Sequence, residues 1–328
     1  RDMITRAQRF VEQVYFPDLV AIASFYKDWA SIGGGVRNYL AVGEFPEGNV
    51  DEYDKLYLPR GIILDRDLTT VEPYDPTKVS EFISSSWYEY EQGDAAGLHP
   101  YEGETRPKYD GPPTPWRFLQ DQRKYSWLKS PRYEGRPMEV GPLARMLVAY
   151  ASGHEEARAM VGEVLGRLGV GPAALFSTLG RTAARGIETV LLARRMNAWY
   201  DALLGRIRNG DTQTFTRDRW DPSTWPARAQ GYGYLDAPRG ALGHWVQIEN
   251  GAISRYQCVV PSTWNAGPRD PEGQVGPYEA ALTDNHPLVD PERPIEILRT
   301  IHSFDPCIAC GVHVLDAQGK LVTEVRVV

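Results

Sequence analysis

The sequence has few cysteines, no long apolar run and no excess of basic residues. Three cysteines in 328 residues are too few for a disulfide framework, and their odd number leaves at least one thiol unpaired. The net charge of −7 argues against a nucleic-acid partner, because nucleic-acid-binding proteins normally carry a basic patch. No stretch approaches the roughly 18 consecutive apolar residues of a membrane span. The chain begins at Arg1 without a signal-peptide pattern, so we expect a processed or truncated chain.

The composition does provide the material for a sizeable core. Hydrophobic residues make up 42% of the chain and charged residues 24%, and the mean hydropathy is −0.42. The length predicts two domains or one large domain. The 31 glycines and 25 prolines indicate much irregular backbone. The cysteines of such a chain are more suited to chemistry than to cross-linking.

The first part of the chain alternates between helical patterns and short strands. Apolar spacing predicts a helix over the first thirty residues, interrupted at Pro17 and ended by a triple-glycine turn at 33–35. This turn follows a helix and precedes a strand, the reverse of a phosphate-binding loop, so it indicates a helix end. Short strands are predicted at 36–40, 57–64 and 66–72. Eight prolines interleaved with Tyr and Trp between 100 and 142 indicate either an ordered wrapping segment or a subunit contact.

The second part of the chain combines longer helices with hairpins. Helices are predicted at 143–150, 171–209, 276–283 and 292–302, with a loop at 217–233. Asn250-Gly251 between two strand patterns is the strongest short hairpin signal, and a second hairpin is predicted over 314–328. We therefore predict an α+β fold with a mainly helical core, long ordered loops and small antiparallel hairpins. The predicted parts are 1–142, 143–313 and 314–328.

The sharpest local motif is an Asp-Pro pair at 305–306 followed by Cys307, Cys310 and His313. Asp before Pro is a helix-start pair, so both cysteines are predicted in the first turns of a helix. A helix N-terminus favours the thiolate, which binds metals or attacks disulfides. The three donors then share one side, which favours a metal site. Redox thiols and plain buried cysteines are the alternatives, and a structural zinc site would need His302 as its fourth ligand.

This motif resembles the C-terminal signature of the large subunit of [NiFe] hydrogenases. Further segments resemble the same family in collinear order over nearly the whole chain, and some of them are typical of its uptake-type members. These segments are Tyr26–Leu40, Ser130–Tyr133, Ala237–Trp245 and Tyr256–Asn265.

The resemblance implies a nickel–iron cluster whose iron carries cyanide and carbon monoxide ligands. Cys307 would be a terminal nickel thiolate and Cys310 a thiolate that bridges nickel and iron, since soft donors suit these metals. Arg239 would lie over the open metal position, and Pro238 and Asp305 would complete its surroundings.

The resemblance also implies residues that support the cluster. The backbone of Pro261 and the hydroxyl of Ser262 would hydrogen-bond the cyanides. His313 would ligate a magnesium ion together with the backbone carbonyl of Cys258, whose thiol would have no ligand role.

The implied activity is heterolytic cleavage of dihydrogen. The proton would go to a cysteine thiolate or to Arg239, although a guanidinium normally stays protonated. An iron–sulfur small subunit would take the electrons, and the pair would work at the periplasmic face of the cytoplasmic membrane, exported together. Nickel-insertion factors and a maturation endopeptidase that cuts after the motif histidine would be further partners.

Two departures from the family pattern concern the extent of the chain. The family's N-terminal Cys-x-x-Cys pair is absent, so we expect a fragment of a longer precursor that does not bind the cluster stably by itself. Residues 314–328 match the family's removable extension, and a permanent hairpin is the alternative. Two other functions remain open: a non-catalytic homologue from an energy-converting complex, and a structural zinc domain.

Overall fold

A computed structural model describes most of the chain. It covers residues 1–48, 55–111, 123–215, 220–283, 286–307, 311–316, 318 and 320–326, with the side chains of 311–313 and 326 left aside. The helices in these ranges are α1 (Asp2–Phe10), α2 (Phe16–Ala23), α3 (Pro142–Ala151), α4 (Glu155–Leu168), α5 (Thr178–Arg208), α6 (Pro261–Ala266), α7 (Pro277–Thr283) and α8 (Ile295–Ser303). None of these described helices combines the length and apolarity that a membrane crossing requires.

The strands are short, apart from one hairpin region in the second half of the chain. They are β1 (Tyr39–Ala41), β2 (Glu44–Pro46), β3 (Leu56–Leu58), β4 (Gly61–Ile63), β5 (Val79–Phe82), β6 (Tyr88–Glu89), β7 (Arg106–Pro107), β8 (Ser130–Tyr133), β9 (Glu139–Val140), β10 (Arg228–Ala237), β11 (Gly240–Glu249), β12 (Ala252–Val259), β13 (Gly311–Leu315) and β14 (Leu321–Arg326). The α+β prediction, with small sheets beside a mainly helical core, is confirmed.

The sheets are small and mostly antiparallel. β1 lies between β4, to which it is antiparallel, and β9, to which it is parallel. β10, β11 and β12 form an antiparallel meander, and β13 pairs with β14. The remaining strands form the pairs β2–β3, β5–β8 and β6–β7. Both hairpins predicted from turn residues are present, although the second begins at Gly311 rather than at 314.

Two buried clusters meet at the central strand β1. Tyr39 and Ala41 pack into a cluster built mainly from α3, α4 and α5, whereas Leu40 packs into a second cluster with Trp245 and Trp264. Because side chains alternate across a strand, one short strand contributes to both cores. The candidate site lies where elements of both cores approach each other.

Several local predictions differ from the structure. The long helix α5 begins at Thr178 rather than at 171, because Pro172–Leu175 form a separate 3-10 turn and the hydroxyl of Ser177 accepts the Gly180 amide at 3.0 Å as the helix cap. Helix α4 was not predicted, and β10 begins inside the predicted loop at 217–233. The triple-glycine turn is confirmed, with Gly33 and Gly35 at positive φ.

Candidate metal centre

Arg239 lies in the two-residue turn between β10 and β11. Its neighbour Gly240 has φ +123°, and a Cβ there would come within 2.4 Å of the Gly141 amide nitrogen. The turn therefore packs directly on the backbone at the start of α3. From this position Arg239 donates through Nε to the Asp305 carbonyl oxygen at 2.7 Å, and its Nη2 lies 3.4 Å from the Asp305 carboxylate.

Ser262 and Cys307 are also joined directly. Ser262 is the second residue of α6, which begins at Pro261 where β12 ends, and its side chain is buried. The Cys307 amide donates to the Ser262 hydroxyl oxygen at 3.2 Å. Cys307 itself is exposed and its thiol is free of any disulfide. The hydroxyl of Ser262 therefore supports the backbone from which the Cys307 thiol projects.

Helix α5 supports the segment that leads to Cys307. Arg185 donates to the Ser303 carbonyl oxygen at 3.0 Å, and the Arg181 guanidinium lies 3.8 Å from the ring centroid of Phe304. Arg181 is itself paired with Glu139 of β9 at 2.7 Å. Burial lowers the pKa of Arg185, and the Asp305 carboxylate opposes this effect. One face of a long helix thus fixes the residues immediately before Asp305.

A cavity of about 260 Å³, with both apolar and charged residues in its lining, lies beside these residues. Pro238 and Asp305 line it together with Glu44, Arg145, Glu188 and Asp236. Asp236 is buried, and its Oδ1 has no hydrogen-bond partner among the described residues, although Arg145 Nη1 lies 3.6 Å away. Burial raises the pKa of Asp236 to about 6, despite the opposing charge of Arg145. The cavity therefore brings charged side chains against Pro238 and Asp305, which lie one residue before Arg239 and two residues before Cys307 in the chain.

Cys258 has different neighbours. It lies on β12 opposite His244 of β11, with its Sγ 3.2 Å from His244 Nδ1, and Tyr256 Oη contacts the same nitrogen. The Gln257 side chain donates to the Cys258 carbonyl oxygen at 3.3 Å, which leaves that oxygen a second lone pair. Within the described part of the chain, no hydrogen bond or ion pair joins Cys258 to Arg239 or Cys307.

The structure brings together four of the predicted site residues in two direct pairs, Arg239 with Asp305 and Ser262 with Cys307. Pro238 adjoins the first pair in the chain and Pro261 the second. Since proline has no N–H, the backbone of Pro261 cannot donate a hydrogen bond, and such a bond to an anionic ligand would have to come from Ser262.

The predicted helix start at the cysteine motif is wrong. α8 ends at Ser303, Asp305 has φ +55° rather than the extended conformation of a helix cap, and a strand begins at Gly311. Cys310 and the side chain of His313 lie outside the described residues, so the shared face of the three donors stays a prediction. Among the residues described, no group of three or more His, Cys, Asp or Glu side chains is placed to hold a metal ion.

Sequence reasoning missed the residues behind Arg239, namely Arg145, Arg185, Glu188 and Asp236. A signal for the first of them was present, because Arg145 is the one charged residue in the apolar run from Leu143 to Ala149. A charge in the middle of a core-facing helix must be paired when it is buried. Its partner Glu188 could not be identified from the pattern, since it lies 43 residues away.

The described residues fit a thiolate-held metal group with anionic ligands. The Cys307 thiol is exposed and soft, and Ser262 uses its oxygen as an acceptor, so its O–H is free to donate. Arg239 Nη1 has no hydrogen-bond partner among the described residues. A hydroxyl donor therefore lies at the backbone of Cys307, and a positive charge is held two residues earlier in the chain, at Asp305.

Comparison with known proteins agrees with this chemistry. A family model described as nickel-dependent hydrogenase matches residues 1–313. The uptake hydrogenase large subunit of Bradyrhizobium diazoefficiens is 48% identical over 99% of this chain and 56% of its own length. The hydrogenase-1 large chain of Escherichia coli is 43% identical over 100% of this chain and 56% of its own length. This chain thus spans little more than half the length of these relatives.

Solved structures give the same result. The [NiFeSe] hydrogenase of Desulfomicrobium baculatum superposes with a TM-score of 0.75 and 33% identity, covering 93% of this chain and 57% of that one. The Ni-Fe-Se hydrogenase of Desulfovibrio vulgaris Hildenborough gives a TM-score of 0.72 and 32% identity over 92% of this chain and 58% of that one. With a family model that matches 313 consecutive residues, the chain belongs to the nickel-dependent hydrogenase family.

Proposed function

We propose that this chain forms the C-terminal part of the catalytic large subunit of an uptake [NiFe] hydrogenase. The observation that carries the proposal is the joint placement of Cys307, Ser262 and the Arg239–Asp305 pair in a member of this family. Substrate and partner follow from the same proposal: dihydrogen, and an iron–sulfur small subunit that receives the electrons. The relatives are named as uptake hydrogenase large subunits, which supports this assignment.

Each residue has a specific task in this proposal. A nickel–iron group with cyanide and carbon monoxide ligands, when bound, would supply the heterolytic cleavage of dihydrogen. Cys307 and Cys310 would hold it as thiolates, and a cysteine thiolate would receive the proton. The Ser262 hydroxyl would donate to an anionic ligand, and Arg239, held by Asp305, would place a permanent positive charge beside the open position. His313 and the Cys258 carbonyl would hold a magnesium ion.

The proposal includes maturation and location. Residues 314–328 would be an extension removed by an endopeptidase after nickel insertion, and the end of the family match at residue 313 supports that boundary. The mature pair would work at the periplasmic face of the cytoplasmic membrane, exported with the small subunit. Since this chain covers only 56% of the length of these relatives, these statements apply to the longer parent protein.

Metal content of the parent protein tests the proposal. In a host with hydrogenase assembly factors, we expect the purified full-length protein to contain nickel and iron. Cys307→Ser should abolish both the nickel content and hydrogen uptake, because the terminal thiolate is lost. Cys258→Ser is the matched control and should retain nickel and iron, since that residue contributes only its backbone carbonyl.

Three outcomes would contradict the proposal. They are a parent protein with zinc as its only metal, one without nickel and iron, and a Cys307→Ser variant with unchanged hydrogen uptake. The first is expected of a structural zinc domain and the second of a non-catalytic homologue.

A further inference from the structure

A buried ion pair lies directly behind the Arg239 turn. Arg145 of α3 is 3% exposed, and its guanidinium binds both carboxylate oxygens of Glu188 on α5, at 2.7 and 2.8 Å. Burying these two charges costs several kcal/mol per ion in desolvation, so a buried pair is weak evidence of a stabilising role. Its other contacts indicate what it does.

The outer edge of the Arg145 guanidinium holds two consecutive carbonyl groups of the turn. Nη1 donates to the Ala237 oxygen at 2.9 Å, and Nη2 donates to the Pro238 oxygen at 3.0 Å. These are the two residues immediately before Arg239. At the other end of the turn, a Cβ on Gly240 would come within 2.4 Å of the Gly141 nitrogen, and a Cβ on Gly141 would lie 3.0 Å from the Arg239 carbonyl oxygen. The turn is therefore fixed between the start of α3 and the guanidinium one turn further along that helix.

We infer that the Arg145–Glu188 pair positions Arg239 over the metal centre. The inference rests on the proposed function, in which Arg239 faces the open metal position. Arg145 acts through the backbone of 237–238, and Glu188 fixes the plane of the guanidinium with a bidentate contact. Both are positioning residues, because they act on Arg239 only through the backbone of 237–238.

The planar fork of arginine is essential to this role. A guanidinium presents five N–H donors in fixed geometry, so it can bind a carboxylate and two carbonyl groups at once. A lysine ammonium keeps the charge but cannot span the carboxylate and both carbonyls. Arg145→Lys should therefore free the turn while it leaves the charge of the cavity unchanged.

The chain offers a matched control in another buried arginine pair. Arg132 of β8 is 0% exposed, is paired with Asp270 at 2.6 Å, and donates to the carbonyl oxygens of Pro131, Pro268 and Gln274. Within the described residues, its contacts do not include the Arg239 turn, Asp305 or Cys307. Arg132→Lys thus also replaces a buried, carboxylate-paired guanidinium with an ammonium, but at a site that does not contact the Arg239 turn.

The experiment uses the full-length parent holoenzyme and three readouts. Hydrogen–deuterium exchange of residues 235–242 reports the turn and does not depend on metal. Infrared bands of the cyanide ligands report the charge beside the iron, with Arg239→Lys as the reference shift. Steady-state kinetics separate kcat from KM for dihydrogen, and nickel and iron analysis normalises every variant.

In Arg145→Lys, we expect the backbone amides of 235–242 to exchange about tenfold faster than in wild type, with nickel and iron retained. Its cyanide bands should shift in the direction seen for Arg239→Lys, and kcat should fall about tenfold or more while KM stays within about twofold. Arg132→Lys should keep wild-type bands whatever its loss of thermal stability. If Arg145→Lys does not fold, Glu188→Gln, which keeps the shape of the pair, should give smaller shifts in the same direction.

The possible contradictions are distinguishable. If Arg145→Lys or Glu188→Gln contains nickel and iron but keeps the wild-type cyanide bands and the wild-type hydrogen exchange, the positioning role alone is overturned. Cyanide bands that shift as far in Arg132→Lys as in Arg145→Lys would also overturn it. A wild-type parent without nickel and iron would overturn the proposed function, and the positioning role with it.

Discussion

Asp236 is a buried carboxylic acid at the wall of the cavity beside the candidate centre. Removal from water raises its pKa from 3.8 to about 6, with Glu188 and Glu44 acting in the same direction and Arg145 and the Gly43 amide opposing them. An acid with a raised pKa keeps its proton in the folded state at pH values where the unfolded chain has already released it. Stability is therefore lost as the pH rises from about 4 to about 6, because the unfolded chain releases this proton first. The free energy of unfolding falls by at most roughly 3 kcal/mol over this range.

Asp236→Asn should reverse this penalty. Because asparagine does not ionise, the variant's free energy of unfolding should improve relative to wild type by about 2 kcal/mol between pH 4 and pH 7. Denaturant titrations at pH 4, 5, 6 and 7 measure the difference. Asp221→Asn is the control: hydrogen bonds from Ser223 hold the pKa of that exposed carboxylate below its usual range, so the stability they contribute is lost only below about pH 4. The difference between Asp221→Asn and wild type should therefore be nearly constant from pH 5 to pH 7. Parallel pH profiles for wild type and Asp236→Asn would contradict the account.

At the scale of elements, the β10–β11 hairpin depends on a close backbone approach. Gly240→Ala would place a Cβ 2.4 Å from the Gly141 nitrogen, at a φ of +123° that other residues rarely adopt. We expect a loss of about 2–3 kcal/mol in the free energy of unfolding, measured by denaturant titration. Gly231→Ala on the same strand pair meets no atom within 4 Å, so it should change stability by less than about 0.5 kcal/mol. Equal effects of the two substitutions would show that the close approach is not required.

The elements that could be predicted from the sequence are those set by short-range chemistry. The hairpin at Asn250-Gly251 is confirmed because both turn residues adopt positive φ, as that type of turn requires. Helix α4 was missed although its buried residues, from Ala157 to Leu168, recur at helical spacing, because Gly162 and Gly166 interrupt the pattern. Asp-Pro is a local signal for a helix start, and it predicts a helix at the cysteine motif. In the structure Asp305 instead has a positive φ, and its carbonyl oxygen accepts a non-local hydrogen bond from Arg239.

In the candidate site too, the residues of a local motif can be named from the sequence, whereas their distant partners cannot. The motif residues themselves could be identified from sequence, and the structure joins Arg239 to Asp305 and Ser262 to Cys307. Arg145 holds the turn that carries Arg239 and is itself paired with Glu188. These two residues come from different helices, and the sequence pattern does not show which helices pack together. The family was therefore easier to predict from sequence than the residues that support its motifs.

For the whole molecule, β1 links the two buried clusters. Leu40 is fully buried in the cluster with Trp245 and Trp264, and its neighbours Tyr39 and Ala41 are fully buried in the helical cluster. A strand whose two faces belong to different cores cannot leave one core without disturbing the other. We therefore expect the two clusters to unfold together.

Leu40→Ala tests this coupling. The lost side chain leaves a cavity in the second cluster and should cost about 2–5 kcal/mol of unfolding free energy. The chain has nine tryptophans, so Trp245 and Trp264 must be resolved individually, by the ¹⁹F resonances of protein labelled with 5-fluorotryptophan. If the clusters are coupled, these two resonances and the far-ultraviolet circular dichroism of the helices should shift to the same lower midpoint in denaturant. Leu203→Ala, near the exposed end of α5, should move neither midpoint measurably, since that side chain is 54% exposed. A lower midpoint for Trp245 and Trp264 with the helical signal at its wild-type position would mean that the two clusters are independent units. In that case β1 does not couple the Arg239 hairpin to the helices behind it.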